Sequence, residues 1–317
     1  MALVTIKQID SQQAGKFLCD VAHAPVFAQP EVLQCLVPSV DWWIASRGDE
    51  DVCLWPVPLD QESRPTIPPF AYYVGPVWVR SALERPPSHI RSSVHAVYDC
   101  FIETLFTRYG SIRAELDPSQ HDVRPFLWWN FGVSGAPRIA VEARYTAVVD
   151  NLGVFSRETW VRNMRSVRRR EALRLNSSDI LRHDVVDPEM IQDAYARVLA
   201  RQSVSPTEEV FSVIEQIWKL TRKGWGWAYR WSVAGSDGPS SICLILKDRS
   251  AAHLVLRLSQ LCDDHPGLPT VAILDAMQLA SGQGIQRFDF NGANSPQRGD
   301  DKHAFGAPPE LFFRILG

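Results

Sequence analysis

Only six lysines stand against 27 arginines in this 317-residue chain, and its six cysteines include no CxxC pair. Zinc ribbons and fingers need closely spaced ligand pairs, so that class is excluded. Disulfide scaffolds are short secreted chains, which this is not, and cysteines in apolar surroundings read as small core residues. The eight histidines form no HxxxH or HExxH, so no metal site is expected. A lone histidine in an apolar strand, such as His253, reads as a satisfied core residue. No apolar run approaches the roughly 18 residues that cross a bilayer. The start, MALVTIKQID, lacks the basic-then-apolar order of a signal peptide, so a cytoplasmic protein is expected. A net charge of −3 argues against a general nucleic-acid binder but leaves room for a local basic patch. Phosphate-loop and nucleophile-elbow spacings are missing too. "SGQGIQ" (281–286) reads as a helix stop and turn, and "GVSGAP" (132–137) as a linker.

With 45% apolar and 22% charged residues, the composition fits a globular protein, and the length fits two domains of about 150 residues each. The first half carries short apolar runs between proline-rich turns. "DVCLWPVPL" (51–59) predicts a strand, the spacing of Val94, Val97, Phe101 and Leu105 predicts a helix over 92–110, and "SIRAEL" returns as a strand. "RYTAVVDN" (144–151) alternates as a strand and leads into one helix over 156–176. Helices over 188–201 and 208–223 follow. Strands are then expected at 227–233, 241–247 and 251–258, a helix at 269–281, the strand "RFDF", and a last strand "ELFFRIL". This order predicts a mixed α/β protein with an antiparallel meander, divided into 1–143 and 144–317.

Two stretches carry candidate chemistry. In "SRETWVRNMRSVRRREALRLN" the residues 157–174 hold seven arginines and two glutamates, a local charge of +5. Trp160, Met164, Val167 and Leu175 share one helical face, which should pack on a sheet, while Arg162, Arg165 and Arg169 share the opposite one. Guanidinium forks grip phosphates, yet a basic helix face is also an ordinary solvated surface. In "RFDFNGANSPQRGDDKHAFGAP" the two-residue strand period sets Asp289 opposite Phe288 and Phe290. A loop with Asn291 and Asn294 follows, with Lys302 placed to donate to an oxyanion, phosphate or carboxylate. A plain surface turn is the other reading of that loop. Asp289 is a candidate general base, or else a strand aspartate bonded to backbone amides.

Taken in order, "PPFAYYVGPVW", "YTAVVDNL", "W…MRSVRRREALR" and "FDFNGANSP…DDKHAFGA" resemble the Fem-like branch of the GNAT acyltransferase superfamily, the last element most specifically. The resemblance implies two tandem GNAT-like domains, each a central mixed sheet flanked by helices, and an N-acyltransferase with a small-molecule, natural-product or nucleotide-linked amine as acceptor. It gives Lys302 and Asp289 catalytic roles and makes Tyr73, Arg165, Arg169, Asn291, Asn294 and Arg298 substrate-binding. No tightly bound cofactor is implied; acyl-CoA or aminoacyl-tRNA serves as co-substrate, and helix 157–174 is a candidate tRNA contact. The pyrophosphate loop of coenzyme-A-binding GNAT domains has no counterpart in "LSQLCDDHPGLPT" (258–270), which sets aminoacyl-tRNA beside acyl-CoA as an open choice of donor. A catalytically silent double-GNAT scaffold that binds a ligand or RNA is the competing class.

Overall fold

The computed structural model describes residues 3–317 except 85, 176–178, 185, 202, 236–237, 239, 261 and 263–264, and, of the side chains in its helices and strands, all but those of 87 and 298. The elements in chain order are β1 (Val4–Ile9), α1 (Ser11–Asp20), α2 (Pro30–Leu36), β2 (Ser39–Arg47), β3 (Glu50–Leu59), β4 (Val77–Trp78), α3 (Arg80–Leu83), α4 (Ala96–Tyr109), β5 (Arg113–Glu115), α5 (Arg124–Trp128) and β6 (Ala140–Val149). They continue with α6 (Arg157–Asn163), α7 (Ser166–Arg174), β7 (Ile180–His183), α8 (Pro188–Ala200), α9 (Glu208–Leu220), β8 (Gly226–Val233), β9 (Ser240–Lys247), β10 (Ala251–Gln260), α10 (Leu268–Gly282), β11 (Arg287–Asp289), α11 (Pro296–His303) and β12 (Pro309–Leu316).

Two compact units result, one of Met1–Arg144 with Leu311–Gly317, the other of Tyr145–Glu310. In the first, β1 to β4 form an antiparallel sheet in sequence order. Helix α4 buries Val97, Phe101 and Leu105, one stripe of an amphipathic helix, and ends at Gly110 in the left-handed region. Trp55 meets Phe101 and Phe126 edge-on in this core. The last strand also belongs here, whereas a single cut at residue 144 assigns it to the second domain. It pairs antiparallel with β5, and Arg314 donates twice to the buried Glu115 carboxylate, at 2.9 and 2.6 Å.

The second unit orders its strands β6-β11-β10-β9-β8-β7. The expected meander is β8–β9–β10, antiparallel throughout. After it the chain crosses through α10 to β11, which lies parallel to β10. Helix α10 is apolar nearly all round and buried along most of its length, as a helix covered on both sides must be. Among the described residues, no helix is long and apolar enough to cross a membrane. The six cysteines are all unbridged.

Two local expectations change. The helix expected over 156–176 breaks into α6 and α7, because Met164 and Arg165 are extended, with ψ 153° and 148°. The reason is tertiary: the Arg165 N–H donates to the Ala304 carbonyl at 2.9 Å. The break also turns Val167 out to solvent, while Trp160 and Met164 stay buried. Second, Lys302 rides on a helix, α11, not on a loop, since Pro296 opens two turns over "PQRGDDKH".

Candidate active site in the second unit

Strand β11 sets the site's floor. Phe288 and Phe290 enter the core, their rings 5.2 Å apart and edge-on, and Phe290 leans on Phe305 at 5.3 Å. Asp289, on the other face, is 2% exposed. Its Oδ1 accepts from the Thr146 hydroxyl and from the Asn291 N–H at 2.8 Å. One of these two donors is a side-chain hydroxyl and the other a backbone amide.

The parallel register puts His253 directly beside Asp289. His253 Nδ1 lies 3.8 Å from Asp289 Oδ2, and its Nε2 lies 3.1 Å from Asp248 Oδ2. Asp248 is itself fixed in the β9–β10 turn by Ser250 N–H, Ser250 hydroxyl and Ala251 N–H, each at 2.8 Å. Burial drags the His253 ring down, but its hydrogen bond and charge attraction to Asp248, with help from Asp289, outweigh this and raise it above its ordinary value. Burial also pushes the Asp248 carboxyl up; bonding to His253 and Ser250 prevails and holds it below the usual carboxylate range.

Beyond Asp289 the chain turns through Asn291 and Gly292, both in the left-handed region at φ 51° and 47°. Asn291 donates its side-chain amide to the Leu254 carbonyl at 3.3 Å. Lys302 reaches back from α11 and donates to the Asn291 carbonyl and, at 2.8 Å, to the Gly292 carbonyl. The half-buried ammonium thus braces the turn from below. Asn294 Oδ1 accepts the Tyr145 N–H at 2.7 Å and ties the same loop to β6. Phe305 and Gly306 close the element. Gly306 sits at φ +81°, and a Cβ there would stand 2.9 Å from the Asn163 carbonyl oxygen. Gly306→Ala is therefore expected to cost about 1–3 kcal/mol from backbone strain alone, read as a lowered urea midpoint.

A charged girdle surrounds Phe305. Arg165 forks onto Asp300 at 2.7 and 2.5 Å on the surface. Arg168 and Arg257 both hold Asp301, and both guanidinium groups lie over the Phe305 ring, at 5.2 and 5.9 Å. Arg168 also pairs with Glu171 at 2.7 Å, and the Thr270 hydroxyl donates to Glu171 at 2.6 Å. Thr270 is in the first turn of α10, so a carboxylate of α7 already stands at that helix's positive end. Gly267, just before α10, approaches so closely that a Cβ would meet the Glu171 carbonyl oxygen at 2.6 Å.

Lys302, Asp289, Asn291 and Asn294 come together, with Arg165 and Arg169 on the adjoining α6–α7 segment. Arg162, Arg169, Arg170 and Arg174 are exposed. The side chain of Arg298 lies outside the described residues. Tyr73 belongs to the first unit, where it is buried and meets Phe312 edge-on at 5.2 Å. The sequence did not single out Arg168, Glu171, Arg257, Asp301, Asp248 or Thr146. The doublet Asp300-Asp301 beside a basic segment was the one available signal.

No protein-family model matches the chain, and no curated protein matches it. Solved structures do. The chain superposes on FemX with a TM-score of 0.64 at 10% identity, covering 98% of this chain and 96% of that one. It also matches a tandem GNAT protein from the clavulanic acid biosynthesis pathway, at TM-score 0.51, 12% identity and 99% and 98% coverage. A conserved protein of unknown function from Bacteroides thetaiotaomicron gives 0.54, 8% identity and 99% coverage of both chains. The chain has the two-domain GNAT-like fold of these structures.

Proposed function

We propose that the protein is an N-acyltransferase that moves an aminoacyl group from aminoacyl-tRNA to the amine of a small molecule. The observation carrying this choice of donor is the occupied start of α10. Where coenzyme-A-binding GNAT domains seat a pyrophosphate on a helix N-terminus, this unit holds the Glu171 carboxylate, anchored by Arg168 and Thr270. A second anion there would meet a like charge. The exposed arginines of α6 and α7 remain, and these suit the phosphates of an RNA.

In the reaction the amine nitrogen bonds to the acyl carbonyl carbon and the ester C–O bond to the RNA breaks. The proton lost by the amine ends on the leaving hydroxyl. Lys302 is assigned to the oxyanion that forms between these steps, its ammonium aimed and half-desolvated by the carbonyls it braces. Asp289 is in this reading a positioning residue, because its carboxylate is buried and holds the Asn291 turn.

Filter binding of charged and uncharged tRNA at about 50 and 200 mM salt tests the donor. Charged tRNA is expected to bind more tightly, with affinity falling steeply as salt rises. The Arg169→Ala/Arg170→Ala double variant should weaken binding and flatten the salt slope by about one to two. Tight binding of acetyl-CoA without tRNA binding overturns the donor assignment. Binding of neither favours the silent scaffold.

A further inference from the structure

The first unit contains a cavity of about 330 Å³, at the small end of the range for ligand sites. Its floor is apolar: Val21 and Pro25 from the segment after α1, Val77 and Trp78 of β4, and Leu83 of α3. The walls are held by a buried relay of hydrogen bonds. Trp78 Nε1 donates to the Tyr98 hydroxyl at 3.1 Å, Tyr98 donates to Gln120 Oε1 at 2.7 Å, and Gln120 Nε2 donates to the Pro76 carbonyl at 2.8 Å. Each polar group in that relay is engaged, so it shapes the cavity instead of reading a ligand.

The charges that remain are few. Arg80 and Glu84 neutralise each other across one helical turn, Nε to Oε1 2.6 Å, at the exposed rim. His23 completes the lining. Asp117 is different. Its Oδ1 accepts the Ser119 N–H at 2.9 Å and the Ser119 hydroxyl at 2.6 Å, which fix the carboxylate's direction. Its Oδ2 accepts no hydrogen bond among the described residues. An oriented anion with one open oxygen, set over an aromatic and aliphatic floor, matches a cation on an apolar body. Among the described residues of the lining, Arg80 is the one guanidinium or ammonium, and it is committed to Glu84, so phosphates and carboxylates find no free cation there.

We infer that this cavity binds a primary amine with an aromatic or branched aliphatic body, its ammonium on Asp117 Oδ2 and its body against Trp78. Amine binding here requires nothing of the donor site in the second unit, so a failed tRNA experiment leaves it standing, and the reverse holds too.

Calorimetric titration of the full chain with phenethylamine tests the site, with 3-phenylpropionate as a probe of the same body and opposite charge. Phenethylamine is expected to bind and phenylpropionate to give no heat. Asp117→Asn keeps the acceptor for Ser119 but loses the charge, and should weaken phenethylamine about 10- to 100-fold. Ala22→Trp places a bulky ring at the exposed mouth and should abolish binding while leaving the core untouched. No phenethylamine binding by the unaltered protein up to about 10 mM overturns the inference. So does equal binding of the two probes, or undiminished phenethylamine binding by both variants.

Discussion

Lys302→Ala is expected to lower single-turnover transfer from charged tRNA to an amine acceptor by about 10²–10³-fold, the usual cost of deleting one oxyanion donor. The affinity for charged tRNA should change less than about threefold, because phosphate contacts and the transition-state charge are separate terms. That split between rate and affinity separates an oxyanion role from a clamp. The same variant also loses the two bonds to the Asn291 and Gly292 carbonyls, which at about 1–3 kcal/mol lowers the melting temperature by several degrees. Lys302→Arg keeps the charge on a wider, planar head and should recover part of the stability and little of the rate. If Lys302→Ala transfers at the full rate, the ammonium is only the brace of the turn, and the chemistry belongs to other groups.

Asp289→Ala is expected to destabilise the second unit by about 3–5 kcal/mol, the cost of removing one member of a buried charged set. Thr146 and the Asn291 N–H lose their acceptor, and His253 loses one of its two carboxylates. Thermal unfolding measures this directly, and a drop below about 1 kcal/mol contradicts the buried network. The same network fixes a pH dependence. The His253 pKa is raised in the folded state, so its contribution is complete below its unfolded value of about 6.5. That contribution is lost as pH rises through the raised folded value. Asp248 is depressed; its contribution holds above about 3.9 and disappears as pH falls through the folded value. His253→Gln should therefore flatten the dependence of melting temperature on pH above about pH 6.5 relative to the unaltered protein.

Much of the element order was legible because it is written locally. The stripe Val97, Phe101, Leu105 and the stop at Gly110 define α4, and the short apolar runs at 227–233, 241–247 and 251–258 define the meander. His253 reads as a core residue, and it is buried in the second unit with its Nε2 3.1 Å from Asp248. What escaped depends on partners far along the chain. The break at Met164–Arg165 exists because Ala304, some 140 residues later, accepts the Arg165 N–H. No pattern within 156–176 encodes it, and a continuous helical period is the natural reading. The role of Lys302 shows the same limit. Its spacing to Phe305 and Gly306 was visible, but its grip on the Asn291 and Gly292 carbonyls needed the fold of α11 beneath the loop. The commitment of Glu171 to the start of α10 likewise joins residues about 100 apart.

The route of the last strand has a consequence for synthesis. Residues 145–310 form a contiguous stretch that can collapse as soon as it leaves the ribosome. The first unit can be completed only later: Ile112 exchanges backbone bonds with Gly317 at 3.0 and 2.8 Å, and Arg314 pairs with the buried Glu115. Those partners emerge only after the whole intervening unit. The half of the protein translated first is thus the half finished last, with β5 and the buried Glu115 waiting some 200 residues for their closing strand.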